Sequence, residues 1–100
     1  MSTVRKLNES ALRGIYDAYM HEAFPPAELK PLAVMLRLME RGRYLCYGYY
    51  RNGRLAAYAF FYRHDSRVLL LDYFAVTPEL RGRGVGSAFL AALDAVLGGV

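Results

Sequence analysis

Hydrophobic positions recur every three to four residues near both ends of the chain and every second residue in its middle. Thr3 to Leu7 alternates weakly and predicts a short first strand. Asn8 or Ser10 stands where a helix cap belongs. Leu12, Ile15, Tyr16, Tyr19, Met20 and Ala23 then form one apolar stripe at helical spacing. Gly14 weakens that helix, and Pro25-Pro26 ends it. Pro31 suits the first turn of a second helix, whose stripe is Leu32, Met35, Leu36 and Met39. Gly42 is placed as its C-terminal stop.

Tyr44 to Tyr50 reads as an aromatic strand. Asn52-Gly53 is the strongest hairpin signal in the chain, and Leu55 to Tyr62 is the returning strand. His64 to Arg67 reads as a turn and Val68 to Val76 as a further strand. Leu69, Leu70 and Leu71 in succession predict burial on both faces of that strand. Thr77-Pro78-Glu79-Leu80 turns the chain, and Arg81-Gly82-Arg83-Gly84-Val85-Gly86-Ser87 opens a last helix reaching about Leu97. Its apolar positions are Val85, Phe89, Leu93 and Val96. The order is β-α-α-β-β-β-α, a mixed α/β arrangement with a hairpin at its centre.

The 100 residues suit one domain at the usual ~100–150 residues each. A composition 55% hydrophobic and 22% charged excludes a disordered polyelectrolyte. The net charge is +4, and its excess is spread through the first half rather than gathered in a basic arm. That argues against nucleic acid as a partner and leaves small anions open. Seven of the nine tyrosines lie between Tyr44 and Tyr73. They read as amphipathic sheet faces with hydroxyls reaching water, with an exposed base-stacking sheet as the alternative. One cysteine, Cys46, excludes an internal disulfide, and with His21 and His64 far apart in sequence no metal site is expected. A reducing, cytoplasmic setting fits. Met1 to Asn8 lacks the apolar core of a signal peptide. The apolar segment Val85 to Val100 is broken by Asp94 and is too short to cross a membrane.

Strand, glycine-rich turn, then helix is an anion-binding design. The first N–H groups of a helix lack intrahelical partners and carry the positive end of the peptide dipoles. Glycines let phosphate oxygens approach that backbone closely. The spacing here is R-x-x-G-x-G. A Walker loop needs Lys-Ser/Thr after its last glycine, and a dinucleotide fingerprint needs G-x-G-x-x-G, so both are disfavoured.

The run from Leu71 to Ser87, LDYFAVTPELRGRGVGS, resembles the acetyl-CoA-binding motif of the GCN5-related N-acetyltransferases, the GNAT family. The order of elements resembles the first part of that fold. The resemblance implies that the backbone of Arg81, Gly82, Arg83, Gly84, Val85, Gly86 and Ser87 wraps the coenzyme A pyrophosphate. It implies that Phe74, Ala75 and Val76 offer backbone hydrogen bonds to the pantetheine arm, and that roughly His21 to Leu32 lines the acceptor site. Family members continue past this last helix with another strand, another helix and usually two more strands. Residues 1–100 are therefore expected to be a single GNAT-like domain truncated at its C-terminus, with an open sheet edge that invites a homodimer.

The implied function is transfer of an acetyl group from acetyl-CoA to a small-molecule or peptide amine by direct attack. The alternative is an incomplete CoA-binding module without chemistry. Asp72 is the best base candidate, placed by alternation on the same strand face as Phe74 and Val76; otherwise it is a polar residue at the sheet's edge. Glu79 reads as a turn residue, His21 and His64 as surface residues with a pKa suited to proton transfer, and Cys46 as a small buried hydrophobe. No nucleophile–base pair is visible, so no side chain is assigned a catalytic role.

Overall fold

In a computed structural model that describes residues 1–98, each expected element forms in the expected order. The strands are β1 (Ser2–Lys6), β2 (Tyr44–Arg51), β3 (Arg54–Arg63) and β4 (Leu69–Val76). The helices are α1 (Glu9–Ile15), α2 (His21–Ala23), α3 (Leu32–Glu40) and α4 (Val85–Leu97). A π-helical segment, Tyr16–Met20, joins α1 to α2, and Ile15, Met20 and His21 all keep right-handed helical angles across the joins. These three pieces are one helix with a π segment in its middle. Short 3₁₀ turns occupy Pro26–Glu28 and Pro78–Leu80.

Local chemistry explains the boundaries. The Asn8 Oδ1 accepts the Ala11 N–H at 2.9 Å, capping α1. Phe24, before Pro25, turns extended and ends the helix there. Pro31 caps α3 from one position before its first residue. Gly42 takes a φ of +71°, which lets the Gly42 and Arg43 N–H groups fold back onto the Met39 and Leu38 carbonyls. At the hairpin Asn52 and Gly53 both have positive φ, 51° and 80°, the geometry a two-residue turn between twisted strands requires.

The strands pair antiparallel in the order β1-β2-β3-β4, which leaves β4 at one edge. One face packs against α1, the π segment and α3 through Leu12, Met20, Met35, Tyr58, Phe60 and Tyr73. The other packs against α4, where Phe89 stacks between Tyr49 and Phe74 with ring centroids 5.1 and 5.5 Å away. Alternation breaks in β4. Phe60 faces Tyr73 but Phe61 faces Leu71, so Asp72 is an extra residue with no partner in β3.

Two expectations are corrected. The leucine run is not buried on both faces: Leu70 and Leu71 are 51% and 53% exposed. As residues of an edge strand they have a neighbouring strand on one side only. Nor do the tyrosine hydroxyls all reach water. Tyr44, Tyr47, Tyr49, Tyr58 and Tyr73 are buried, and Tyr44 and Tyr73 donate within the protein. With these rings under helices on both faces, the described sheet presents no aromatic stacking platform. No helix among the described residues is long and apolar enough to cross a membrane. Gly99 and Val100, the end of the last apolar segment, lie outside the described residues.

Replacing Asn8 with Ala removes the α1 cap and should lower stability by about 1 kcal/mol, read from the midpoint of chemical denaturation; Asn8→Asp, which keeps an acceptor oxygen, should cost much less.

Candidate functional site

The chain leaves β4 at Val76, makes the Pro78–Leu80 turn and enters α4 through Gly82 and Gly84, both at φ +77°. A Cβ at either position would meet open space, so it is the left-handed backbone, not crowding, that calls for glycine. Gly86 differs. A Cβ there would sit 3.6 Å from Phe74 and Val76, ordinary contact, so alanine fits that position. No side chain caps α4 and its first turn holds no acidic residue. The first N–H bonded back toward the turn is that of Ala88, donated to the Gly84 carbonyl at 3.2 Å. The N–H groups of Val85, Gly86 and Ser87 precede it and have no intrahelical acceptor.

The two arginines of the turn are used differently. Arg81 forms a bidentate pair with Glu22 of α2, at 2.9 and 3.1 Å, and its Nε donates to the Val76 carbonyl at 3.1 Å. The guanidinium bond holds the Glu22 carboxyl below its ordinary pKa. Arg83 is exposed and has no carboxylate within salt-bridge distance among the described residues. It is the free cation of the turn.

The β4 backbone continues the site. The Thr77 N–H donates to the Ala56 carbonyl, toward β3. Backbone groups alternate in direction along a strand, so Ala75 also faces β3 while Phe74 and Val76 face the open edge. Phe74 and Val76 thus hold amides outside the sheet, next to the start of α4.

Behind this edge the loop between α2 and α3 is fastened to β4. The Tyr73 hydroxyl donates to the Glu28 carbonyl at 2.7 Å and accepts the Lys30 N–H at 2.8 Å. The Lys30 Nζ pairs with Asp72 at 2.8 Å, and the Tyr44 hydroxyl donates to the same carboxylate oxygen. Tyr16, at the start of the π segment, donates to the Lys30 carbonyl at 2.8 Å. Phe24 meets the Tyr73 ring edge-on at 4.9 Å.

Residues 10–98 match the acetyltransferase (GNAT) family. The chain belongs to the GNAT family. Solved structures of this fold align with it over nearly its whole length. The ribosomal-protein-S18-alanine N-acetyltransferase of Escherichia coli is 26% identical, with a TM-score of 0.72 over 97% of this chain and 59% of that enzyme. A ribosomal-protein-alanine N-acetyltransferase from Brucella melitensis is 16% identical, with a TM-score of 0.66 over 95% of this chain and 70% of its own. AAC(6')-Iy, solved with the bisubstrate analogue CoA-S-monomethyl-acetylneamine, is 23% identical, with a TM-score of 0.61 over 95% of this chain and 70% of its own. No sequence among the curated proteins matches the chain. This GNAT chain spans 59% of the length of the Escherichia coli enzyme.

Within this GNAT chain the structure brings together Phe74, Val76 and the Arg81–Ser87 turn, and it aims the Ala75 amide into the sheet. It also corrects the face of Asp72. Alternation places Asp72 with Phe74 and Val76, which face α4. The extra residue in β4 shifts it to the opposite face, against Lys30 and Tyr44. Its carboxylate there fastens a loop. His21 sits edge-on to Tyr16 at 5.0 Å, and His64 is exposed at the β3–β4 turn, far in the chain from this cluster. Glu22, Lys30, Tyr44 and Tyr73 escape sequence reasoning. Each acts through a partner at least 28 residues away, and no local signal marks such pairs.

Cys46 is buried, as expected, and burial, aided by the Asp72 charge, pushes its thiol up to about 12. Burial likewise pushes the Tyr58 hydroxyl up to about 12. Both groups ionise in the unfolded chain at lower pH, near 9 and 10. Their contribution to stability is therefore complete below pH 9 and is lost as pH rises toward 12. Urea midpoints should hold from pH 7 to 9 and fall from 9 upward, and iodoacetamide at pH 8 should label Cys46 only when the chain is unfolded.

Proposed function

We propose that residues 1–100 form the N-terminal part of an N-acyltransferase domain that moves an acetyl group from acetyl-CoA to an amine. The observation that carries this reading is the uncapped start of α4, entered through two left-handed glycines beside the free amides of β4. An array of fixed N–H groups with no protein acceptor suits a pyrophosphate. Arg83 adds a free cation at its rim, and Arg81, tied to Glu22, holds the turn against α2.

Acetyl-CoA supplies the acyl group as a thioester when bound. In this reading the Phe74 and Val76 amides hold the pantetheine arm and polarise the thioester carbonyl as negative charge develops on its oxygen. The acceptor nitrogen bonds to that carbon and loses a proton, the carbon–sulfur bond breaks, and the departing sulfur takes a proton. Direct attack needs no protein nucleophile, so the reading assigns none. The loop from His21 to Leu32, fastened through Tyr73 and Asp72, forms one wall of the acceptor site. An N-acetyltransferase of a ribosomal-protein alanine and an enzyme solved with an acetylneamine bisubstrate analogue share this fold, which supports a peptide or small-molecule amine as the acceptor class. The cytoplasm fits this reading, since its reducing conditions keep Cys46 as a free thiol.

A second reading is favoured by one observation. Along β4 the edge is free, with Leu70 and Leu71 exposed. In that reading the chain is a CoA-binding module that keeps the cradle and pairs with a second copy along β4.

Calorimetry should detect coenzyme A binding to the 100-residue chain. Gly84→Asp, which places a carboxylate among the helix amides and strains a left-handed position, should abolish the signal. Unchanged affinity in that variant would remove the cradle. Thiol release across a panel of amines should be slight for these 100 residues, which span 59% of the length of the Escherichia coli enzyme. In sedimentation the 100-residue chain should self-associate, and a clean monomer at high concentration would remove the second reading.

A further inference from the structure

The two-residue hairpin turn sets Arg51 and Arg54 directly opposite each other at the ends of β2 and β3. Like charges at a cross-strand pair destabilise a sheet. Neither guanidinium has a carboxylate within salt-bridge distance among the described residues. Both line a cavity of about 570 Å³, in the size range of sites for small molecules. Its other walls are Tyr19 from the π segment, Asn52 of the hairpin turn, Leu55 from the start of β3, and Glu79 and Leu80 from the turn that precedes the glycines. Glu79 lines the same cavity yet stays beyond salt-bridge distance of both arginines. Arg81, next to Leu80, is already held by Glu22, so the cations at this cavity are Arg51, Arg54 and the Met1 ammonium, which donates to Asn52 Oδ1 at 2.7 Å.

We propose that this cavity is a second ligand site, separate from the glycine turn, for a small molecule bearing a carboxylate or phosphate at one end and a protonated amine at the other. The oxyanion sits between the Arg51 and Arg54 guanidinium groups, whose forked donors match two oxygens each. The Tyr19 hydroxyl, which makes no hydrogen bond to protein among the described residues, is a third donor. Glu79 faces the amine across the gap that separates it from the arginines. Leu55 and Leu80 cover a short aliphatic linker. Bound oxyanion relieves the repulsion between the arginines, which the empty hairpin carries uncompensated. The π segment belongs to the same design, since inserting it in the helix changes the direction in which Tyr19 points. This site does not rest on the acetyltransferase reading, because none of its lining residues belongs to the Arg81–Ser87 turn or to the β4 edge.

Amide NMR of the full chain tests the proposal with four probes at millimolar concentration: 4-aminobutyrate, butyrate, butylamine and inorganic phosphate. We expect 4-aminobutyrate to shift the signals of residues 51–55 and 79–80, butyrate to do so more weakly, and butylamine not at all. Phosphate shifting residues 51–55 assigns the oxyanion to a phosphate; phosphate confined to residues 82–87 assigns it to a carboxylate. Arg51→Gln with Arg54→Gln should weaken the 4-aminobutyrate response at least tenfold, and Gly84→Asp should leave it intact. The double variant should melt no lower than the parent, because it removes a like-charge pair. No response at residues 51–55 to any oxyanion would overturn the site. So would a lower melting temperature in the double variant, which would make the arginines structural.

Discussion

One extra residue in β4 governs how the helical side of this fold meets its sheet. Without the bulge, Asp72 and Tyr73 would point to opposite faces, and only one of them would reach the loop between α2 and α3. With it, both lie on the same side. Tyr73 then both donates to and accepts from the loop backbone, and Asp72 collects Lys30 and Tyr44. The Lys30–Asp72 pair is partly exposed, with side chains 37% and 23% accessible, and such pairs contribute about 1 kcal/mol or less by themselves. The hold on the loop comes from the set. Five hydrogen bonds made by Tyr16, Tyr44, Tyr73 and Lys30 converge on residues 28–30 and 72–73, and each fixes the geometry the next one needs.

That fastening brings two otherwise independent regions to one strand end. The loop between α2 and α3 and the glycine turn share no sequence, yet both are secured to β4, and the Glu22–Arg81 pair closes the gap between them. The chemistry offered at the site is mostly backbone: amides of Phe74 and Val76 at the edge and of Val85 to Ser87 at the helix start. A backbone cradle asks little of side chains beyond two left-handed glycines. The family match over residues 10–98 accordingly goes with only 16–26% identity to the three structural relatives named above. Away from this backbone site, Arg51 and Arg54 stand opposite each other at the hairpin turn with no carboxylate within salt-bridge distance among the described residues.

Much of the fold is legible because its signals act over four residues or fewer. Asn8 bonds an amide three residues on. Asn52-Gly53 and Gly42 take the positive φ their turns require, and Gly82 and Gly84 do the same before α4. The apolar stripe of the first helix marks its buried side, with Leu12, Ile15, Tyr16 and Met20 all covered. These features follow from steric limits on single residues and from hydrogen bonds that close within one turn, so composition and order decide them before any tertiary contact forms.

The rest was settled only when strands paired. A strand's period of two is legible only while its register is regular, and one inserted residue moves a carboxylate to the other face. Hence Asp72 reads as a neighbour of Phe74 and stands instead with Lys30 and Tyr44. Burial of the leucine run depended on which strand stood beside it, and β4 is an edge. The reach of Arg81 to Glu22, 59 residues away, is a property of chain crossings, as is the meeting of the hairpin turn with Tyr19, Glu79 and Leu80 around one cavity. By itself the sequence determined the elements, their caps and the glycine turn; the tertiary structure decided which charges meet, because electrostatic partners are chosen by distance in space and not by distance along the chain.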